Sequence, residues 1–114
     1  MIRVKNSLEF NIELIADLIA KEGYTSVAVV STLKETKAFD AFCSALKDAV
    51  KIQDFKVVAA ADFSNNFEAV TAVVGAEAVI LAESYGITRH KYFDETIDIL
   101  RVKQKKILGV VTLK

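Results

Sequence analysis

The sequence predicts an α/β fold, a three-layer α/β/α sandwich around a four-stranded parallel sheet. Short runs of small and β-branched residues alternate along the chain with segments whose apolar residues recur at helical spacing. The clearest run, 27–30, is Val-Ala-Val-Val, as expected of a strand that is buried on both faces. Strands that helices separate pair in parallel through right-handed crossovers, which predicts a Rossmann-like or P-loop-like arrangement.

The first helix is predicted between Asn6 and Gly23. Asn6 and Glu9 have the spacing of a capping box, and Gly23 is of the residue type that ends helices. Residues 1–5 are either a short edge strand or a lead into this helix. Between the two ends, apolar residues recur at helical spacing: Leu8, Ile12, Ile15 and Ile19.

Strands and helices then alternate to the end of the sequence. The predicted strands are 25–31, 55–61, 78–82 and 107–113, and the predicted helices are 35–50, 67–74 and 89–105. No linker, internal repeat or low-complexity segment interrupts them, so residues 1–114 are predicted to form a single domain. We expect one residue of each strand to be almost fully buried: Val29, Val58, Ile80 and Val110.

A ligand site is predicted where the strand order reverses. Counting strands from residue 25, we expect the order 2-1-3-4 with two helices on each face. Ligands of open α/β sheets bind at such a reversal, in the crevice at the carboxyl ends of the strands. Loops 31–37, 62–66 and 83–89 would line it. The candidate ligand-binding residues are Ser31, Thr32, Thr36, Lys37, Asp62, Gly86 and Thr88.

Several of these candidates also have a purely structural interpretation. Lys37 would contact a phosphate, or it would be a solvated lysine in the first turn of a helix. Gly86 and Thr88 would border a ligand, or form a turn and a helix cap. Asp62 is a lone acid, which makes a poor magnesium site unless substrate phosphates complete it. We predict no catalytic residue and no metal site.

The composition restricts the class of protein. The sequence is 53% apolar and 26% charged, as in globular domains, and its fifteen basic and fifteen acidic residues cancel. No net charge therefore attracts nucleic acid or anionic lipid. The single cysteine, Cys43, excludes an internal disulfide. Charges interrupt the first twenty residues, unlike a secretory signal, and no apolar run approaches the roughly 18 residues that span a bilayer. We expect a cytoplasmic protein.

Two blocks of the sequence carry a family resemblance. In 21–63, an apolar strand leads into a polar loop with Lys37, and 56–63 is a second strand that ends in an acid. In the carboxyl-terminal half, a strand, a Tyr85-Gly-Ile-Thr88 loop and an amphipathic helix precede Ile107-Leu-Gly-Val-Val111. Together these blocks resemble the bacterial tyrosine kinase domain of capsular and exopolysaccharide biosynthesis, a P-loop family of Walker type.

The sequence departs from this family at the residues that carry its chemistry. Where the family has a run like Gly-Glu-Gly-Lys-Ser/Thr, this chain has Lys34-Glu-Thr-Lys-Ala38, without both glycines and without the hydroxyl that binds magnesium. Only Asp62 remains of an Asp-x-Asp motif. The metal-binding aspartate strand has no counterpart in 66–75. The tyrosine cluster is not found after 107–113, and the arginines of the oligomerisation helix are absent from 8–20.

The resemblance therefore implies a shortened, degenerate relative, non-catalytic or regulatory, that acts through protein contacts. We expect no cofactor, because ATP with magnesium would bind only if the degenerate loop still held phosphates. The alternative is a small protein or enzyme that binds a nucleotide or phosphorylated metabolite in the crevice.

The partner prediction depends on the last strand. Residues 107–113 are long and apolar, without proline, and would form a sheet edge that invites pairing. Either residues 2–4 or a helix covers this edge, or another chain pairs with it. We expect a homodimer, or a complex with a larger polysaccharide-assembly protein, without nucleic acid and without direct membrane insertion.

Overall fold

Helices and strands alternate along the whole described chain. A computed structural model describes residues 2–4, 8–32, 36–63, 66–84 and 90–113. The strands are β1 (Ile2–Val4), β2 (Ser26–Val30), β3 (Lys56–Ala60), β4 (Ala78–Ser84) and β5 (Lys106–Leu113). The helices are α1 (Leu8–Glu22), α2 (Lys37–Ala49), α3 (Phe67–Val74) and α4 (His90–Val102).

The strands form one parallel sheet in the order β1-β5-β4-β2-β3. The four predicted strands are β2 to β5, and their predicted order, parallel pairing and Rossmann-like α/β architecture are confirmed. A fifth strand, β1, pairs with β5, with Ile2 beside Gly109 and Val4 beside Val111. Two explanations were open for the β5 edge: coverage by residues 2–4 or a helix, or pairing with another chain. The structure shows the first, because the amino-terminal strand β1 pairs with β5.

Polar side chains and a glycine define several helix ends. Thr36 caps α2, where its hydroxyl accepts a hydrogen bond from the Phe39 N–H at 3.1 Å. Asn66 caps α3 in the same way through the Ala69 N–H at 3.3 Å. Gly23 follows α1 with φ of 74°, a backbone conformation that glycine adopts without steric cost. The predicted caps Asn6 and Thr88 lie outside the described residues.

Two cores lie on the two faces of the sheet. Val27 and Val29 of β2 pack with α1 and α2, whereas Ala28 and Val30 pack with α3 and α4. All four of these residues have no exposed surface. The alternation follows from the period of two in a strand, and it explains why β2 has no polar face. The predicted arrangement of two helices on each face is confirmed.

A bulge in β5 changes which core its residues reach. Val79 of β4 lies beside Ile107, but the next residue, Ile80, lies beside Gly109, so Leu108 is an extra residue in the ladder. Leu108 and Val111 consequently pack into the same core although they are three residues apart. Strict alternation would have placed them on opposite faces.

The predicted burial holds for three of the four named strand residues. Val29 and Ile80 have no exposed surface, and Val110 is 8% exposed. The prediction is wrong for Val58, which is only half-buried. The reason is that β3 is an edge strand, which pairs with β2 alone among the described strands.

Thr96 of α4 generates a stability prediction. The residue is fully buried, and its hydroxyl has no hydrogen-bond partner within the described ranges. An unpaired buried hydroxyl costs about 1–3 kcal/mol, so Thr96→Val should raise the free energy of unfolding by about 1 kcal/mol or more, measured by urea denaturation. The control is Ser44→Ala, which removes a hydroxyl from the exposed surface of α2 and is expected to change stability by no more than about 0.5 kcal/mol. A destabilised Thr96→Val protein would contradict the prediction.

Candidate functional site

The carboxyl ends of β2 and β4 form the point at which the strand order reverses. From β2 the chain passes through α2 to β3 on one side, and from β3 it returns through α3 to β4 on the other side. The helices that follow these two strands in the chain, α2 after β2 and α4 after β4, pack on opposite faces of the sheet. This is the geometry in which open α/β sheets hold ligands.

A buried contact between two side chains crosses this point. The Thr32 N–H donates a hydrogen bond to Oε1 of Glu83 at 3.0 Å, and Oγ1 of Thr32 donates to Oε2 at 2.8 Å. Each residue is only 6% exposed. The register explains why they meet: Val30 lies beside Leu81, so the residues two positions further along are level. We call this arrangement the Glu83–Thr32 contact.

Ser31 and Asp62 lie beside this contact, on the side of β3. The Ser31 N–H donates to the Ala60 carbonyl at 3.1 Å, and the Phe63 N–H donates to the Ser31 carbonyl at 3.0 Å. The pairing of β2 with β3 therefore continues into the following turn. Asp62 is half-buried and has φ of 51°, a left-handed conformation that aspartate tolerates better than most residues. Ser31 is 3% exposed.

The remaining sequence candidates are located differently. Thr36 uses its hydroxyl as the cap of α2, and Lys37 is exposed in the first turn of that helix. An exposed position is compatible with both interpretations of Lys37, the phosphate contact and the solvated lysine. Gly86 and Thr88 lie outside the described residues. The structure therefore brings together Ser31 and Thr32, with Asp62 nearby.

Glu83 is a residue of this site that the sequence pattern does not indicate. The predicted strand ends at Ala82 and leaves Glu83 in the following loop, whereas β4 continues to Ser84 by pairing with β5. A charged residue directly after an apolar run was the available signal. The pairing of Glu83 with Thr32, 51 residues away, depends on the strand register.

A related contact joins the opposite ends of the same two strands. Oε1 of Glu77 accepts hydrogen bonds from both the Thr25 N–H, at 3.0 Å, and the Thr25 hydroxyl. The Glu77 N–H donates to the Ser26 hydroxyl at 3.1 Å. Hydrogen bonds from the Thr25 side chain and then its backbone lower the pKa of Glu77. This carboxyl group is exposed to solvent, unlike that of Glu83.

The lowered pKa of Glu77 predicts a pH-dependent stability. A carboxyl group with a depressed pKa in the folded state stabilises the protein above its ordinary pKa, 4.5 for Glu77, and the contribution is lost as pH falls through the folded pKa. Thr25→Val should therefore reduce stability at pH 7, and the difference from the natural protein should shrink as the pH falls below 4.5. Urea denaturation at several pH values measures this. A difference that stays constant across that range would contradict the assignment.

The described residues contain no group of three or more His, Cys, Asp or Glu side chains that could hold a metal ion. Within the same residues, no helix combines the length and the apolar character needed to cross a membrane.

The chain was compared with protein-family models, with curated proteins and with solved structures, and none of them matches it.

Proposed function

We propose that this protein is a non-catalytic, regulatory relative of the polysaccharide-biosynthesis tyrosine kinase domain that acts in the cytoplasm through protein contacts. The observation that carries the proposal is the Glu83–Thr32 contact. In nucleotide-binding α/β proteins, backbone N–H groups of the loop after a central strand hold the phosphates. Here the N–H and the hydroxyl of Thr32 bond to a carboxylate of the protein itself. That carboxylate would also repel a phosphate that approached it.

The residues around the contact lack the other supports of phosphoryl transfer. That reaction needs a metal ion that bridges the phosphates and a backbone cradle that holds them. Ala38 stands where the related family has the magnesium-binding hydroxyl, and Ala60 stands where it has an acid. Ala60 is 1% exposed at the end of β3 and has no group to offer a metal. These substitutions support a role without catalysis.

The outer side of α3 supports the part of the proposal that concerns protein contacts. Phe67 is 84% exposed and Val74 is 51% exposed, and a separation of seven positions is about two helical turns, so they lie on one side of the helix. Val102, 80% exposed at the end of α4, lies on the same face of the sheet. Ile99 and Val102 also line an apolar depression of about 310 Å³. Exposed large apolar side chains, an aromatic residue among them, favour an interface.

A nucleotide experiment separates this proposal from its alternative, a protein that binds a nucleotide or phosphorylated metabolite. Because a ligand of the folded state raises the melting temperature, thermal unfolding is recorded with increasing ATP and magnesium. We expect no shift and no ATP hydrolysis. A saturable rise in Tm that Lys37→Ala abolishes would favour the alternative and refute the proposal.

The proposed partner is a second copy of the chain or a larger polysaccharide-assembly protein. The formal net charge of zero offers little repulsion against self-association. We expect light scattering at micromolar concentration to give a dimer mass, and Phe67→Ser with Val74→Ser to lower it toward the monomer. Ala41→Ser, at an exposed position of α2 on the opposite face, is the control and should leave the mass unchanged. A monomer mass for the natural chain would contradict self-association and leave only the second partner.

A further inference from the structure

The hydrogen bonds between Glu83 and Thr32 also bear on which ligand this point of the fold can bind. We propose that the Glu83 carboxylate occupies a latent anion-binding site and keeps it closed, so that a small oxyanion such as inorganic phosphate binds at Thr32 once the carboxylate is removed. The inference rests on the proposed function, in which the natural protein leaves this point closed to ligands.

The two hydrogen-bond donors of Thr32 are arranged as an oxyanion needs them. The N–H and the hydroxyl of Thr32 each bond to a different oxygen of Glu83, at 3.0 and 2.8 Å. Two oxygens on one central atom are common to carboxylate, phosphate and sulfate, so a free oxyanion can accept the same pair of hydrogen bonds. Such bonds are stronger with an ionised acceptor than with a neutral one.

The donors of Thr32 are buried, unlike those of the Glu77–Thr25 pair at the other end of the same strands. That pair joins the same two residue types, but both of its donors bond to the single oxygen Oε1 of an exposed carboxyl group. When Glu77 is removed, water replaces it. At Thr32, which is 6% exposed, removal of Glu83 leaves two donors in a poorly solvated position. An unsatisfied buried donor is costly, and a bound anion removes that cost.

The position of Thr32 and Glu83 in the sheet also favours ligand binding. The site lies at the reversal of strand order, where open α/β sheets bind ligands, and the space that Glu83 vacates lies at that point. Size also restricts the ligand. Only the side chain of one residue is removed, so the vacated space suits inorganic phosphate or sulfate and not a nucleotide.

The experiment compares Glu83→Ala with the natural protein in a titration with inorganic phosphate. Amide signals are followed by ¹H–¹⁵N NMR, with sodium chloride at equal ionic strength as the reference. We expect a saturable shift of the Thr32 amide signal and a saturable rise in Tm for Glu83→Ala only. Glu77→Ala is the matched control and should show neither effect. Adding Thr32→Ala to Glu83→Ala removes the hydroxyl donor and should weaken phosphate binding several-fold.

A second variant keeps the test decisive if Glu83→Ala does not fold. Glu83→Gln preserves the shape of the side chain but offers a single acceptor oxygen, so the N–H and the hydroxyl of Thr32 can no longer bond to separate oxygens. We expect it to bind phosphate more weakly than Glu83→Ala, with the same Thr32 amide perturbed. No saturable effect in any folded Glu83 variant would overturn the inference, as would binding that leaves the Thr32 amide unperturbed.

The outcomes also separate this inference from the proposed function. If ATP with magnesium stabilises the natural protein without perturbing the Thr32 amide, the proposed function fails and the latent site is unaffected. If the natural protein binds neither nucleotide nor phosphate and the folded Glu83 variants do not bind phosphate, only the latent site fails. Phosphate binding at Thr32 in the natural protein would refute both.

Discussion

The structure depends on the parallel pairing of β2 with β4. β2 is buried on both faces and lies between β3 and β4, so both cores are built around it. Its register with β4 is regular from Val27 beside Ala78 to Val30 beside Leu81. Just outside each end of this paired segment, a threonine donates hydrogen bonds to a glutamate: Thr25 to Glu77 at one end and Thr32 to Glu83 at the other. A shift in register would separate both polar pairs and turn the strand's side chains toward the wrong cores.

The two polar pairs have different consequences because their solvation differs. At the amino end, Thr25 stabilises an exposed Glu77 carboxylate, and water can replace either partner. At the carboxyl end, Glu83 and Thr32 are buried, and the N–H and the hydroxyl of Thr32 are satisfied by the Glu83 carboxyl group instead of by water. The end of the sheet at which α/β proteins hold ligands is thus occupied by a side chain of the protein. A buried, hydrogen-bonded side chain there accounts both for a well-defined structure and for a closed site.

The edges of the sheet are treated differently on its two sides. At β5, the three residues of β1 pair with the middle of the strand, Gly109 to Val111, and the bulge at Leu108 changes the alternation of that strand. At β3, the strand is short and begins with the exposed Lys56, features that discourage pairing with another sheet. Among the residues whose burial the structure describes, the exposed large apolar side chains lie on α3 and at the end of α4, so helix surfaces are the better basis for the proposed protein contacts.

The sequence alone determined the order of helices and strands, the parallel sheet with two helices on each face, and the position of the strand-order reversal. These follow from local periodicity and from the handedness of crossovers, which nearby residues carry. The position of β1 was open, since three residues show no periodicity and the strand exists through its pairing with β5. Val58 was misjudged although the predicted order already placed its strand at the edge of the sheet, where a strand with one neighbour keeps part of its surface exposed. Glu83 was passed over for a different reason: its partner Thr32 is 51 residues away, and only the register of β2 and β4 brings the carboxyl group and its donors together.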